Sequence, residues 1–343
     1  MSAVNVAVVG ATGAVGQELL RILAERQFPI KSLKLLASPR SAGKKIVFNN
    51  QEYTVEAVAA SQFEDVDLAF IAAGGEASKQ WVPVAVAAGC TVIDNSSAYR
   101  MDPKVPLIVP EVNMDAARNH QGIIANPNCS TIILCVALKP IYDYAGIQRV
   151  VVSTYQAVSG AGYAAMDELQ AQTEAYARGR EVEAQVLPVK GLPKHYPVLF
   201  NVIPQIDIPG EQGYTKEEWK MIWETQKIFA DPSMRITATT VRVPTMRSHC
   251  ESINVETKTK LTVQECRNLI SKAPGLKLVD DLEAQRYPMP LDTSGQDLVW
   301  VGRIREDTSL EYGLNLWVVG DQIRKGAALN AVQIGENLIA DMR

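Results

Sequence analysis

Residues Val4 to Val9 form a short β-branched run that ends at Gly10-Ala11-Thr12-Gly13-Ala14-Val15-Gly16, and a helical pattern follows from Gln17 to Arg26. This order of events constrains the fold more than any other feature of the chain. A continuous apolar run reads as a strand buried on both faces of a parallel sheet. A glycine-rich turn that leaves such a strand and opens a helix lets backbone amides approach a pyrophosphate at the positive end of the helix. The glycines fall as GxxGxxG rather than GxGxxG, and the physical reading is the same. The chain is therefore expected to be α/β, with an N-terminal Rossmann-like unit.

The second strand, near Ser32 to Ala37, runs into Ser38-Pro39-Arg40-Ser41-Ala42-Gly43-Lys44-Lys45. An NAD site usually places an acid here for the ribose hydroxyls. Hydroxyls and cations suit a 2′-phosphate instead, so Ser38 and Arg40 predict NADP. Asp67 to Gly75 reads as a further strand and turn, Ala77 to Ala88 as a helix with Pro83 near its start, and Thr91 to Ser97 as strand and polar turn. This rhythm predicts a doubly wound sheet whose loops gather at one edge. Arg100 falls near that edge, where a guanidinium can grip an anion with two bonds.

The stretch Asn126-Pro127-Asn128-Cys129-Ser130-Thr131 precedes an apolar helical run from Ile132 to Leu138. Pro127 disfavours helix at Asn126, and Asn128 is a good N-cap residue. Cys129 then sits in the first turn, where the partial positive charge of the helix end favours a thiolate. Such a thiolate can attack a carbonyl and form an acyl intermediate, so Cys129 is the candidate nucleophile.

In the second half, Val150 to Gln156 reads as a strand that enters Ala157-Val158-Ser159-Gly160-Ala161-Gly162. That turn suits the approach of a flat ring, and Gln156 is placed to orient a carbonyl or a histidine. Thr215 and Glu218 form a capping box. Glu217 and Lys220 share a helix face, as a surface ion pair or as a charge set for a zwitterionic ligand. Ile236 to Pro244 is strand-like and carries Arg242. His249 titrates near neutral pH when unperturbed, as a general acid–base requires, whereas His120 and His195 stand in loops with no second functional group nearby. The stretch 186–212, with five prolines, is irregular. Leu310 to Val319 reads as strand, and Lys325 to Met342 as a closing helix that packs back on the first domain.

At 343 residues two domains are expected: 1–127 completed by 325–343 for the dinucleotide, and 128–324 for catalysis and dimerisation on an open mixed sheet. A formal charge of −4 gives no footprint for nucleic acid. No apolar run approaches the roughly 18 residues that span a membrane, and the N-terminus lacks the pattern of a signal peptide. The five cysteines form no CxxC pair and no zinc spacing with the three histidines, which predicts no metal, reduced thiols and a cytoplasmic location.

Taken together, GATGAVG, PNCST around Cys129, Gln156 before SGAG, and the block from Arg242-Val243-Pro244 to His249 resemble the aspartate-β-semialdehyde dehydrogenase family from end to end. The resemblance implies NADPH-dependent reduction of L-aspartyl-4-phosphate to L-aspartate-4-semialdehyde and phosphate, on the route to lysine, threonine, methionine and isoleucine. It implies Cys129 as nucleophile, His249 as acid–base and Gln156 as the amide that orients the thioester. It implies Arg242 on the substrate carboxylate and Glu217 on its ammonium, with Arg100, Lys220 and Asn95 on the phosphate. Gly10, Ala11, Thr12, Gly13, Ala14, Val15, Ser38, Arg40, Ser159, Gly160 and Gln322 take the places of cofactor contacts. A homodimer through the second domain is expected. In the family Asn126 is commonly Cys, and His249 is commonly flanked by Gly and Ser rather than Ser248 and Cys250. N-acetyl-γ-glutamyl-phosphate reductase shares the fold and acyl-phosphate chemistry, but its substrate lacks the ammonium that Glu217 would face. A catalytically silent nucleotide-binding paralogue is the alternative outside enzymes.

Overall fold

A computed structural model describes residues 3–341, and the chain divides into two compact units, Met1–Asn128 with Gly326–Arg343, and Cys129–Lys325.

In the first unit β1 (Val4–Val9) leads into α1 (Ala14–Glu25) and β2 (Ile30–Ala37). A hairpin of β3 (Lys45–Phe48) and β4 (Gln51–Thr54) precedes β5 (Glu56–Ala57), β6 (Leu68–Ile71), α2 (Gly75–Ala87), β7 (Thr91–Asp94), α3 (Pro110–Asn113) and β8 (Ile123–Ala125). Pro83 lies well inside α2 rather than near its start. The main sheet has the order β5-β2-β1-β6-β7-β8 with every pair parallel. Val4, Val6 and Val8 enter the core cluster under α1, while Ala7 and Val9 enter the one under α2. Burial on both faces explains why β1 is apolar without alternation. The order reverses at β1 and β6, so their C-terminal ends bound the crevice where such sheets take ligands.

The second unit begins with α4 (Cys129–Ala145) and β9 (Ile147–Gln156), followed by α5 (Tyr163–Ala177), α6 (Lys216–Ile228), β10 (Arg235–Arg242) and β11 (His249–Thr257). Then come α7 (Val263–Lys272), β12 (Leu276–Leu278), α8 (Pro290–Thr293), β13 (Val299–Glu306) and β14 (Gly313–Gly320). The sheet order is β10-β9-β11-β14-β13-β12, with parallel pairs at its two edges and antiparallel pairs between. The helices α4, α6 and α7 cover one face. On that face the register builds rows across the strands. Arg242 pairs with Gln156 and His249 with Gly320 at the strand ends, Thr240, Thr154, Glu251 and Val318 make the next row, and Ala238, Val152, Ile253 and Leu316 the one after. The catalytic candidates thus stand side by side because period-two alternation points them to one face.

The closing helix α9 (Leu329–Asp341) belongs to the first unit and packs on α1. Its expected start at Lys325 is instead a π-helical turn, Arg324–Ala328. Met342 lies outside the described residues. Among those residues, no helix is long and apolar enough to cross a membrane.

Candidate active site

Cys129 is the first residue of α4 and is partly accessible. Beside it, Gln156 donates from Nε2 to Ser130 Oγ at 2.6 Å and to Glu217 Oε1 at 3.1 Å. Glu217 is buried, and its Oε2 accepts from Lys220 Nζ at 3.1 Å. Lys220 also bonds Asp207 at 2.6 Å. Asp207 comes from the proline-rich stretch and carries no local sequence signal. The capping box Thr215–Glu218 is present, and it fixes the start of α6, whose first two turns carry Glu217 and Lys220.

Arg242 ends β10 and is buried, and its Nη1 donates to Ala157 O at 2.6 Å. Burial pushes its pKa down, and the neighbouring Glu217 carboxylate and Cys129 sulfur oppose that shift. The Ala157 N–H donates to His249 Nδ1 at 3.0 Å, so the neutral ring carries its proton on Nε2, a tautomer assigned from that bond. The expectation that His249 titrates near neutral pH is corrected here. Complete burial and the nearby Arg242 cation pull its pKa to about 3, against which Glu217 acts weakly. His249 Nε2 and Arg242 Nε are buried and have no partner among the described residues. A Cβ on Gly160 would come within 2.9 Å of Arg242 Nη1 and 3.0 Å of His249 Nε2, so only glycine lets that turn lie across both groups. Ser159 accepts from Gln322 Nε2.

The first unit holds a separate set. Gly10 has φ +87, and a Cβ there would sit 2.3 Å from Ala72 O; one on Gly16 would sit 2.2 Å from Gly10 O. The loop is closed this tightly against the end of β6. Gly13 caps α1 without a side-chain hydrogen bond, which leaves helix N-terminal amides available to a pyrophosphate. Ser38 and Arg40 are exposed after β2, with no acid between Ala37 and Lys45. The residues therefore fit a phosphorylated dinucleotide. Arg100 is buried and donates from Nε to Asn126 O at 2.9 Å and from Nη2 to Asn95 O at 2.8 Å. Asn126 donates to Asn95 Oδ1 at 2.9 Å and accepts from Asn330 at 2.7 Å. Sequence reasoning missed Asn330, which lies some two hundred residues from its partner.

Among the described residues no group of three His, Cys, Asp or Glu side chains could hold a metal ion. His120 accepts from the Gly122 N–H of its own turn, and burial lowers its pKa. A doubly wound sheet with a glycine cradle in one unit, and a thiol at a helix start near a buried amide, guanidinium and imidazole in the other, are features of the dehydrogenase class. Residues 5–120 match the family described as semialdehyde dehydrogenase, NAD binding domain, and residues 138–325 match its dimerisation domain. Aspartate-semialdehyde dehydrogenase of Synechocystis sp. is 52% identical over 338 residues, covering 98% of each chain. The structure of aspartate semialdehyde dehydrogenase II from Vibrio cholerae, complexed with ASA, is 47% identical with a TM-score of 0.95, covering 99% of each chain. That of the Candida albicans enzyme with NADP is 25% identical with a TM-score of 0.75, again covering 99% of each. The chain belongs to the aspartate-semialdehyde dehydrogenase family.

Proposed function

We propose that the chain reduces L-aspartyl-4-phosphate to L-aspartate-4-semialdehyde with release of phosphate, using NADPH, in the biosynthesis of lysine, threonine, methionine and isoleucine. The observation that carries this reading is the pairing of buried Arg242 with buried Glu217 around Cys129. One cation and one acid, both withdrawn from water, match the carboxylate and ammonium of an α-amino acid. The second charge also tells against an N-acylated substrate.

Cys129 attacks the acyl carbon and forms a thioester while phosphate departs, with Arg100, Lys220 and Asn95 assigned to the phosphate. Gln156, held by Ser130 and Glu217, orients the thioester carbonyl. His249 presents Nε2–H to the oxygen or sulfur on which charge develops, and as a neutral donor it needs no prior protonation. When bound, NADPH would supply the hydride for the thioester carbon, and the C–S bond then breaks so that the aldehyde is released and Cys129 returns to the thiolate. Gly10 to Val15, Ser38, Arg40, Ser159, Gly160 and Gln322 are assigned to that cofactor, with Arg40 and Ser38 on its 2′-phosphate. Division at the thioester replaces one difficult step by two accessible ones. The free thiols and the biosynthetic role support a cytoplasmic location.

The test is absorbance at 340 nm with aspartate semialdehyde, phosphate and either NADP or NAD. NADP reduction that depends on phosphate is expected. A signal with NAD alone would discard the roles of Ser38 and Arg40. Silence with both cofactors in a folded sample would remove the reaction itself.

A further inference from the structure

The ladder between β11 and β14 ends at the pair His249 and Gly320. The same register, continued, would set Ser248 opposite Asp321. It does not continue, because Ser248 enters the left-handed region at φ +73, a conformation that costs energy for a residue with a Cβ. The buried Ser248 N–H then needs an acceptor outside the ladder. Gln322 supplies it, accepting with Oε1 at 2.8 Å. The other end of the same amide donates to Ser159 Oγ, in the turn after Gln156.

Asp321 acts one residue earlier. Its buried carboxylate accepts from Arg247 Nε and the Gly295 N–H, both at 2.6 Å, and from the N–H groups of Ile323 and Arg324. Four donors fix it in one orientation, and through Arg247 it ties down the residue that precedes Ser248. These ties converge on the imidazole. His249 directly follows the left-handed residue, and its Nδ1 is held by Ala157 at 3.0 Å. Val158 N–H adds a bond to Thr245 O at 2.9 Å. Gln322 thus joins the two segments, 157–161 and 245–248, that flank the ring.

We propose that Asp321 and Gln322 form a side-chain clamp that positions the Nε2–H of His249 for hydrogen-bond donation to the reacting group, Gln322 through Ser248 and Ser159, and Asp321 through Arg247. Both are positioning residues, since neither bonds the ring. The inference rests on His249 being the acid–base group of the reaction proposed above. It gives Gln322 a role beyond the cofactor contact implied by family resemblance, because both ends of its amide are engaged by protein groups.

The experiment compares wild type, His249→Ala, Gln322→Leu, Gln322→Glu and Arg247→Met in phosphate-dependent NADPH formation, with NADP affinity measured separately by titration calorimetry. Misplacing a catalytic group by a fraction of an ångström costs rate rather than affinity. At saturating NADP, Gln322→Leu should lower kcat by about tenfold or more, a loss that a weakened cofactor contact alone would not produce. A glutamate accepts both the Ser248 N–H and the Ser159 hydroxyl, so Gln322→Glu should restore most of kcat. Weakened NADP binding with kcat intact would overturn the clamp, and so would a glutamate variant as slow as the leucine variant. Should Gln322→Leu not fold, Arg247→Met cuts the second tie and carries the same expectation, and an unchanged kcat there overturns the proposal. A wild type without turnover, or an active His249→Ala, overturns the acid–base reading and the clamp with it. A slow His249→Ala beside normal Gln322→Leu and Arg247→Met overturns the clamp alone.

Discussion

His249 and Glu251 stand two residues apart on one face of β11, and burial acts on them in opposite directions. Each is pushed toward its neutral form, so the imidazole pKa falls to about 3 and the Glu251 carboxyl is raised well above 4.5. Linkage turns these shifts into opposite slopes of stability against pH. Between about pH 3 and 6.5 the unfolded histidine binds more protons than the folded one, so its contribution is fully present above 6.5 and is lost as pH falls. The folded Glu251 keeps a proton that the unfolded chain releases above 4.5, so its contribution is present below 4.5 and lost as pH rises toward the native value. Neither Glu251 oxygen has a partner among the described residues, and the same holds for the hydroxyls of Thr154 and Thr240 beside it. Glu251→Gln removes the ionisation and keeps the shape. Urea unfolding from pH 4 to 8 should show this variant gaining on wild type as pH rises, by at most about 1.4 kcal/mol per pH unit. A difference independent of pH would mean that Glu251 does not titrate as described. At the same scale, Arg242→Lys keeps the charge and loses the planar fork. It should lower kcat/KM by about ten- to a hundredfold, a range set by one charged hydrogen bond. An unchanged kcat/KM would count against its carboxylate role.

Among the elements, α6 shows how a local signal supports a distant site. Its first two turns carry Glu217 and Lys220, and the first is held by Thr215, whose Oγ1 accepts the Glu218 N–H, while Glu218 returns to the Thr215 N–H at 2.7 Å. Glu218 also accepts from Thr240 N–H at 2.9 Å, joining the helix to β10. Thr215→Ala should cost about 1 kcal/mol in urea unfolding and raise KM for aspartate semialdehyde, since the turn that holds Glu217 loosens. A loss of stability with KM unchanged would separate the cap from the site. Features of this kind were legible because they are local: the capping box, the glycine turn after β1, the start of α4 at Cys129, and the alternation of β10. The strand β11 was not legible. His249, Glu251 and Asn254 interrupt its apolar pattern, and only the sheet shows that the buried pair belongs to a polar layer behind Gln156. Asp207, Asp321 and Asn330 were missed for a related reason. Each acts on a partner supplied by another part of the chain, so their own neighbours in sequence carry no sign of the role. His249 was singled out by its chemistry, yet its depressed pKa depends on burial and on Arg242, which spacing alone does not give.

For the whole molecule, the decisive property of the second sheet is that its strands present two different faces. On β9, Gln156 and Thr154 face the helices, while Tyr155 and Ser153 alternate to the other side, where Tyr155 is exposed and packs its ring 5.4 Å from that of Trp317. Helices α4, α6 and α7 cover the first face. Residues 138–325 match the dimerisation domain of this family, and we propose the other face of β9, β11 and β14 as the seat of the second copy. A two-fold interface sets the same patch against itself, so one substitution is felt twice. Ser252 lies in the middle of that face, between Ser153 on β9 and Trp317 on β14, and its neighbour Glu251 points the opposite way. Ser252→Arg places two buried cations against each other in the dimer while leaving the catalytic row untouched. Light scattering at micromolar concentration should report a dimer for wild type and a monomer for the variant. The urea transition of wild type should also move with protein concentration, and that of the variant should not, because association stabilises the fold by mass action. A variant that stays dimeric with an unchanged transition would move the interface off this face of β9, β11 and β14.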